Sequence, residues 1–464
     1  MVFRRKITET LRQWKERDKA ECALLIDGAR RVGKSFIVEQ FAKAEFPGYA
    51  VINFKYAGSD VKETFEEYLA RPDEFFRRLF LVLGIAPLPR GGLLVFDEVQ
   101  AFPRAREAIK PLVADGRYHY VETGSLLSIR RNVEGILVPS EERHVNMYPM
   151  DFGEFLRAEG ADGLMDEIRE AFARRESLGP LHRRAMDLFR AWTVVGGMPQ
   201  AVAKWVSTRD LAAVDRTKRD ILALYRADIA KHAGSQAPKV QAMWDAIPAQ
   251  LSRHEKRYNL ADLGENARMR EYEEPAFWLK DSGACNFCYN ATEPNLGLAL
   301  SADHATFKCY LGDTGLLVSH AFDESELASE QIHRRLLAGD LSVNEGMVTE
   351  NAVAQLLAAS GRKLYFYSRN DPSDRKERIE IDFLVAKSKL ARKNNVSPVE
   401  VKSGKRVRHA SLDKFRAEVL RLAGRTVPLP RRQRPRNRRP EMPPALHGRR
   451  PLSPAAKRPS RSRP

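Results

Sequence analysis

The feature that most constrains this chain is a short loop, Gly-Ala-Arg-Arg-Val-Gly-Lys-Ser, at positions 28–35. An apolar run, Ala23–Ile26, precedes the loop, and a helical pattern follows it from Ser35 to Ala44. Glycines let backbone N–H groups turn inward around phosphate groups, and a helix N-terminus favours negative charge. The order strand, loop, helix therefore predicts a P-loop within an α/β fold.

The P-loop pattern predicts that ATP is held by all eight loop residues, which are Gly28, Ala29, Arg30, Arg31, Val32, Gly33, Lys34 and Ser35. In this pattern the lysine contacts the β- and γ-phosphates, and the serine hydroxyl is a ligand of Mg²⁺. The competing interpretation is a chance glycine–lysine turn, which would need neither the strand before it nor the helix after it.

A second acidic motif stands about 60 residues further along. The apolar run Leu93–Phe96 ends in Asp97 and Glu98. We expect Asp97 to hold Mg²⁺ through water and Glu98 to polarise the attacking water. A third run, Tyr118–Val121, leads to Ser125, where a polar side chain can sense the γ-phosphate. The alternative for Ser125 is a strand-ending turn rich in small residues.

The pattern of apolar residues changes along the chain. Residues 22–150 alternate between strand and helix patterns, as in a doubly wound α/β domain. The runs Ala23–Ile26, Tyr49–Phe54 and Leu93–Phe96 lack polar alternation, which predicts parallel strands buried on both faces. Residues 151–250 have mainly helical spacing. The α/β pattern returns from Glu345 to about Leu422.

With these motifs in place, the chain resembles a large bacterial and archaeal family of AAA-type P-loop ATP-binding proteins with a C-terminal PD-(D/E)XK nuclease-like domain. The resemblance covers about residues 5–422. It rests on GARRVGKS, LLVFDEVQ, ETGSLL, MYPMDFGEFL, VGGMPQAV, YRADIAKH, ENARMREYEEPAFWLKDSG, KCYLGDTGLL and EIDFLV…VEVKSGK, in that order.

The resemblance implies a division into an AAA-type domain, a helical lid, a winged-helix-like module and a nuclease-like domain, and composition adds a tail. The corresponding ranges are 1–150, 151–250, 251–325, 340–422 and 425–464. Ser125 resembles the sensor residue after the third strand. Arg143 resembles an arginine that acts on phosphate, in its own subunit or in a neighbour; a surface arginine is the alternative. After about Leu422 the family implies further strands, but an Arg/Pro-rich segment follows instead.

A second set of charged residues lies near the C-terminus. Asp382 stands in the predicted strand Ile379–Val385, and Glu400 and Lys402 face one side of the next, Ser397–Val401. Carboxylates and a lysine that converge at strand ends can hold Mg²⁺ and orient water for phosphodiester attack. Glu350, on the helix before them, would complete the metal shell, as the resemblance also implies. Such folds also occur as binding modules without cleavage.

Composition and the lengths of the apolar runs limit the class of protein to which this chain can belong. The net charge is +17, but residues 425–464 contain 13 Lys/Arg, one acid and 10 of the 26 prolines, which predicts a disordered basic tail. No apolar run is long enough to span a membrane or act as a signal peptide. The four cysteines are too few for a disulfide framework. Cys285 and Cys288 suggest buried thiols rather than a zinc site. We expect a cytoplasmic protein.

The preferred interpretation is an ATPase that uses ATP and Mg²⁺ and couples hydrolysis to a nuclease-like or nucleic-acid-binding region. Its expected partners are ATP, DNA or RNA, and a second copy of the chain. The alternative is a nucleotide-dependent binding switch with an inactive nuclease-like domain. A small-molecule kinase is a weaker alternative, since Glu98 is typical of hydrolysing ATPases.

Overall fold

A five-stranded parallel sheet organises the N-terminal part of the protein. In this computed structural model the described residues are 1–124, 139–264, 267–294, 297–323, 326–339, 345–369, 378–387, 395–402 and 410–424. The strands are β1 (Ala23–Asp27), β2 (Tyr49–Asn53), β3 (Leu93–Asp97), β4 (His119–Thr123) and β5 (Glu142–Asn146). Their order across the sheet is β2-β3-β4-β1-β5. Because all pairings are parallel, the C-terminal ends of the five strands meet at one edge.

Helices cover both faces of this sheet. They are α1 (Ile7–Arg17), α2 (Lys34–Glu45), α3 (Ser59–Glu67), α4 (Pro72–Val82), α5 (Pro103–Glu107) and α6 (Ile109–Asp115). Leu93 and Val95 pack into one apolar cluster, whereas Leu94 and Phe96 pack into another on the opposite face. β1 and β3 are buried at every position, which confirms the prediction for these two strands.

Two local expectations for this region are wrong. β2 is an edge strand whose residues alternate in burial, and Val51 is exposed, so it is not buried on both faces. The spacing of apolar residues over Arg104–Ala114 predicts a helix, but the structure divides this range at Ala108 into α5 and α6. Pro111 lies in the first turn of α6; because proline has no backbone N–H and its ring clashes with the preceding turn, a helix tolerates it only near its start.

The following region is helical, as its periodicity predicts. Its helices are α7 (Phe152–Ala158), α8 (Leu164–Arg174), α9 (Leu181–Val195), α10 (Pro199–Thr208), α11 (Leu211–His232), α12 (Ala237–Ser252) and α13 (Met269–Asp281). Helix α7 begins with a capping box, in which Asp151 accepts from the backbone of Glu154 and Glu154 accepts from the backbone of Asp151. Arg5 then donates to Glu154 at 3.1 Å, which ties the N-terminus to this helix.

The remaining elements form a second α/β arrangement. The strands β6 (Cys285–Ala291), β7 (Ala302–Leu311), β8 (Leu364–Arg369) and β9 (Ile379–Ile381) make a sheet of order β7-β6-β8-β9. Strands β10 (Phe383–Ala386) and β11 (Val396–Val399) form an antiparallel pair. The helices are α14 (Thr314–Ala321), α15 (Glu326–Ala338), α16 (Glu345–Ala359) and α17 (Ala410–Gly424).

This sheet combines strands from two predicted domains. β6 and β7 come from the range 251–325, and β8 and β9 come from the range 340–422. β6 pairs with β8 in parallel, from Cys288 opposite Leu364 to Asn290 opposite Phe366. Residues Met1–Val419 form one compact unit, and Leu420–Pro464 form another, of which only the end of α17 is described. The division into winged-helix-like and nuclease-like domains stays a prediction.

The predicted C-terminal strands differ in detail. The strand expected over Ile379–Val385 is interrupted at Asp382, which lies between β9 and β10. The strand expected over Ser397–Val401 ends at Val399, so Glu400 and Lys402 follow it. The predicted basic tail, 425–464, lies outside the described residues. None of the helices in the described part of the chain is both long and apolar enough to cross a membrane.

Candidate functional site

The P-loop lies at the C-terminal edge of the parallel sheet, between β1 and α2. Gly28 and Gly33 have φ values of 138° and 95°, in the left-handed region that favours glycine. A Cβ on Gly28 would lie 2.2 Å from the carbonyl oxygen of Met147, so the loop has no room for a side chain there. Arg31 also has a positive φ, 69°. Such strained non-glycine residues cluster at binding sites.

The ammonium of Lys34 is folded back over this loop. Its Nζ donates to the carbonyl oxygens of Gly28 at 3.0 Å and Ala29 at 2.9 Å. Burial lowers the pKa of Lys34 to about 8, although the nearby carboxylates of Glu98, Asp27 and Asp97 oppose this shift. A phosphate group beside Nζ would favour the charged form of Lys34, because its negative charge would offset the cost of burying the ammonium.

The buried carboxylate of Asp97 is the centre of a hydrogen-bond group at the ends of three strands. The hydroxyl of Ser35 donates to Asp97 Oδ1 at 2.6 Å, and the amide of Asn53 donates to Oδ2 at 2.6 Å. Thr123 donates its hydroxyl to Oδ1 as well. Mg²⁺ prefers a few oxygen ligands and keeps several waters. The Ser35 hydroxyl beside the Asp97 carboxylate fits that preference.

The backbone of Glu98 is held in an uncommon conformation. Its φ and ψ are 54° and 45°, the left-handed region, although it has a full side chain. The side chain is half-buried, and the amide of Gln100 donates to Glu98 Oε2. A strained residue directly after a buried carboxylate is typical of a site where position matters for function. Glu98 and Lys34 of the P-loop line the same cavity.

A cavity of about 670 Å³ connects the P-loop with the helical region. Lys34 and Glu98 line one side, and Tyr225 and Trp244 line the other. This volume is within the range of small-molecule and cofactor sites. The cavity is therefore large enough for a nucleotide whose phosphates reach the loop.

Helix α11 contacts the P-loop at the rim of this cavity. The hydroxyl of Tyr225 donates to the carbonyl oxygen of Arg30 at 2.9 Å. The Arg30 guanidinium forms an ion pair with Asp228. Two successive turns of α11 thus hold the residue at the tip of the loop, so that the loop and the helical region share one boundary of the cavity.

The structure brings together most of the predicted nucleotide residues, but not Arg143. Gly28–Ser35, Asp97 and Glu98 converge at one edge of the sheet. Arg143 lies opposite Leu24 in the sheet register, three residues before the strand end, and its exposed side chain pairs with Asp18. A role on the phosphates of its own subunit is therefore not supported by this placement. Ser125 lies outside the described residues.

Sequence reasoning missed two of the groups around Asp97. Asn53 is the last residue of β2, and Thr123 is the last residue of β4. A signal was present, because each is a polar residue at the end of an apolar run. In a parallel sheet such positions meet at the same edge. Asn53 and Thr123 belong to the site through their contacts with Asp97 rather than through any motif of their own.

A buried charged group lies beside the P-loop strand. Arg106 binds both oxygens of Glu142 at 2.6 and 2.7 Å, and His144 also contacts Glu142 at 2.5 Å. Asp27 and Glu142 raise the pKa of His144 to about 9. Burial, together with the charge of Glu142, raises the pKa of Glu122 well above its usual range. Glu122 lies beside the ion pair of Arg106 and Glu142, where burial disfavours its charged form.

The predicted C-terminal residues form two ion-pair groups, which are joined by a hydrogen bond of 2.8 Å from the backbone N–H of Val401 to Asp382. Glu350 and Asp382 both contact Lys308, at 3.3 and 3.5 Å, whereas Glu400 pairs with Lys402 at 2.6 Å. Among the described residues, no group of three or more His, Cys, Asp or Glu side chains is arranged to hold a metal ion. Lys308 was not predicted, although it is the first residue of the KCYLGDTGLL motif.

The pKa shifts of the groups around Lys308 follow from burial and from the neighbouring charges. Burial opposes ionisation of Glu350, but Lys308 and Lys256 lower its pKa. Burial and the charge of Glu350 raise the pKa of Asp382. Cys285, Cys288 and Cys309 are buried free thiols on the neighbouring strands, and burial raises the pKa of Cys288.

The fold and this site together define the N-terminal region as a P-loop nucleotide-binding domain with a parallel sheet. Comparison with known families narrows the class: residues 20–156 match the family described as AAA domain. The region is therefore an AAA-type, ATPase-like P-loop domain. Residues 186–326 and 345–431 match two families described as domains of unknown function, DUF8612 and DUF4143.

Solved structures with a similar chain trace are distant. A Walker-type ATPase of Pyrococcus abyssi is 15% identical, with a TM-score of 0.43 over 69% of this chain and 96% of that chain. Drosophila ORC bound to DNA is 13% identical, with a TM-score of 0.26 over 65% and 91%. Cdc6p from Pyrobaculum aerophilum is 12% identical, with a TM-score of 0.25 over 71% and 93%. No curated protein matches the sequence.

Proposed function

We propose that the protein binds ATP with Mg²⁺ at the P-loop and hydrolyses it. The observation that carries the proposal is the hydrogen bond of 2.6 Å between Ser35 and Asp97, next to Lys34 and Glu98 at the wall of the cavity. These four side chains are a phosphate-binding ammonium, two oxygen ligands for a metal, and a carboxylate that can act on water. Mg²⁺ bound here would neutralise developing charge on the phosphates.

Each of these residues has a separate role in the proposal. Lys34 exchanges its two carbonyl acceptors for phosphate oxygens when ATP enters. The hydroxyl of Ser35 and the carboxylate of Asp97 would hold Mg²⁺, with Asp97 acting through water. Glu98 orients the attacking water and accepts its proton while the water oxygen bonds to the γ-phosphorus and the bond from that phosphorus to the leaving ADP oxygen breaks. A carboxylate can act as a general base in this step.

The proposal also includes Ser125 and Arg143. Ser125 follows β4, whose last residue, Thr123, already contacts Asp97, so a sensor role at the γ-phosphate agrees with its place in the chain. Arg143 is exposed and pairs with Asp18, so we propose that it acts on ATP of a neighbouring subunit, which requires self-association.

The proposed coupling to the rest of the chain passes through α11. Because Arg30 is held by Tyr225 and Asp228, a change at the loop reaches the helical region directly. We propose that this region acts as the lid, followed by the winged-helix-like and nuclease-like segments that bind DNA or RNA. The basic segment 425–464 would add non-specific affinity for nucleic acid that falls with salt.

The nucleotide-dependent binding switch is the second candidate function. It is favoured by the ion pairs that occupy Glu350 and Asp382, which leave these carboxylates engaged with lysines. In that case ATP turnover changes the affinity for nucleic acid and no strand is cut. The kinase alternative is not favoured by any contact in the cavity.

The test of ATP binding compares Lys34→Ala with Lys43→Ala. Lys43 is an exposed lysine on the same helix, so its removal changes the charge of α2 equally without touching the loop. We expect calorimetry to show loss of tight ATP binding in Lys34→Ala and unchanged binding in Lys43→Ala. Unchanged affinity in Lys34→Ala, with Mg²⁺ present, would refute the proposed site.

A further inference from the structure

One fully buried lysine lies at the centre of the C-terminal carboxylates. Lys308, on β7, has no exposed side-chain surface. Its Nζ lies 3.3 Å from Glu350 Oε1, 3.2 Å from Glu380 Oε1 and 3.5 Å from Asp382 Oδ1. Three carboxylates from α16, β9 and the β9–β10 junction therefore converge on one ammonium. This is the arrangement in which acidic residues of a nuclease-type site would surround a divalent ion.

The outer oxygens of the same three carboxylates are also engaged by the protein. Lys256 contacts Glu350 Oε2, and Arg378 contacts Glu380 Oε2 at 3.1 Å. The backbone N–H of Val401 donates to Asp382 Oδ2 at 2.8 Å. All six carboxylate oxygens thus have a protein donor. The cations in contact with the three acids are Lys308, Lys256 and Arg378, and Arg378 also forms an ion pair with Glu255.

A divalent ion does not fit this donor set. Mg²⁺ binds carboxylate oxygens at about 2.0–2.1 Å and keeps several waters. Here Lys308 Nζ already lies among the inner oxygens, and a second cation beside a buried ammonium would meet strong repulsion. Lys308 also cannot serve as the lysine that contacts a phosphodiester, because no part of its side chain reaches the surface.

We infer that Lys308 takes the place of the divalent ion, so that this cluster is a metal-free ion network and not a Mg²⁺-dependent nuclease centre. The inference concerns the C-terminal region and does not depend on ATP hydrolysis at the P-loop. It assigns the cluster a structural role, which is to hold β7, β9 and α16 together through a shared cation. Glu400 and Lys402 pair with each other, and Val401 between them donates its backbone N–H to Asp382.

The inference predicts that replacing Lys308 creates a metal site. Lys308→Met keeps an unbranched side chain, one heavy atom shorter, and removes the charge, which leaves three facing carboxylates without their central cation. We expect this variant to have a lower melting temperature, to gain one Mn²⁺ site per chain, and to recover several degrees of melting temperature in millimolar Mn²⁺ or Mg²⁺. Adding Asp382→Asn to it should remove the gained site.

Lys218→Met provides the matched control. Lys218 is also a fully buried lysine, but its Nζ donates to the backbone carbonyls of Val194 and Gly315 and faces one carboxylate, Asp215 at 3.9 Å, rather than three. We expect it to be destabilised without recovery in metal. All titrations use nucleotide-free protein that carries Asp97→Asn, which removes the proposed Mg²⁺ ligand at the P-loop.

The inference can also be tested in protein whose Lys308 and three surrounding carboxylates are unchanged. Protein with Asp97→Asn as its sole substitution should bind no Mn²⁺ with micromolar affinity and should not cleave plasmid DNA or short RNA in Mg²⁺. A Mn²⁺ site in this protein that disappears on adding Asp382→Asn would overturn the inference. So would a folded Lys308→Met protein that gains no Mn²⁺ site.

Discussion

Two buried carboxylate groups in this protein share a residue type but differ in what surrounds them. Asp97 accepts hydrogen bonds from neutral groups, which are the Ser35 and Thr123 hydroxyls and the Asn53 amide. Asp382 instead faces an ammonium, Lys308. Neutral donors hold a carboxylate in position without cancelling its charge, whereas a buried cation cancels it. The Asp97 carboxylate therefore keeps a negative charge that Mg²⁺ can bind, whereas the charge of the Asp382 carboxylate is already offset by Lys308.

The difference also shows in backbone geometry. The Asp97 site is followed by Glu98 in a left-handed conformation and faces the P-loop, where Arg31 is left-handed as well. Strain of this kind costs about 1–3 kcal/mol per residue and persists where the surrounding structure enforces it. At the C-terminal cluster, by contrast, none of the described residues near Asp382 has a positive φ outside glycine. We therefore expect a catalytic role for the group around Asp97 and a structural role for the group around Lys308.

The largest expected effect is on Glu98, which distinguishes a catalytic carboxylate from a structural one. Glu98→Gln keeps the shape of the side chain but removes the base, so kcat for ATP should fall by about 10²–10⁴. Calorimetric affinity for ATP should remain close to that of the unmodified protein. Wild-type turnover in this variant would mean that the strained conformation of Glu98 serves only the fold.

A smaller effect separates the two aspartates directly. Asp97→Asn removes a charged Mg²⁺ partner, and we expect the Mg²⁺ concentration for half-maximal ATP turnover to rise by about 10–100-fold. Asp382→Asn should leave that concentration unchanged, although it perturbs the Lys308 network. An equal shift in both variants would show that the two groups are not independent.

The pH dependence of binding tests the environment of Lys34. Its pKa of about 8 in the free protein is below the usual lysine value, and bound phosphate favours the protonated form. Binding above pH 8 must therefore take up a proton, so ATP affinity should fall by roughly tenfold between pH 7 and pH 9. Calorimetry in buffers of different ionisation enthalpy measures that uptake. Lys34→Arg should lack it, since a guanidinium stays charged throughout.

The P-loop and the acidic end of β3 can be identified from the sequence because their determinants are local. The glycines, Lys34 and Ser35 lie within eight residues, and Asp97 and Glu98 directly end an apolar run. Asn53 and Thr123 are not recognised, because their role depends on the order of strands in the sheet. The order β2-β3-β4-β1-β5 places the ends of strands far apart in sequence next to each other.

The C-terminal cluster was harder to predict for the same physical reason. Lys308 meets Glu350 across 42 residues and Asp382 across 74, because β6 and β7 join the sheet of β8 and β9. The pattern of Asp382, Glu400 and Lys402 was visible in the sequence, but the cation that Asp382 contacts was not. The break at Asp382 was also missed, since the apolar run Ile379–Val385 continues on both sides of it.

The close approach of Met147 to Gly28 has a consequence for how the protein acquires its loop. Met147 donates its backbone N–H to Asp27 at 2.8 Å, and its carbonyl occupies the space a side chain at Gly28 would need. The P-loop is local in sequence, yet the wall against which it is shaped comes from about 120 residues further on. Closing a connection of that length is slow compared with forming the helix beside it. We therefore expect the helix after the P-loop to form early in folding, and the loop to take its final conformation only when β5 pairs with β1.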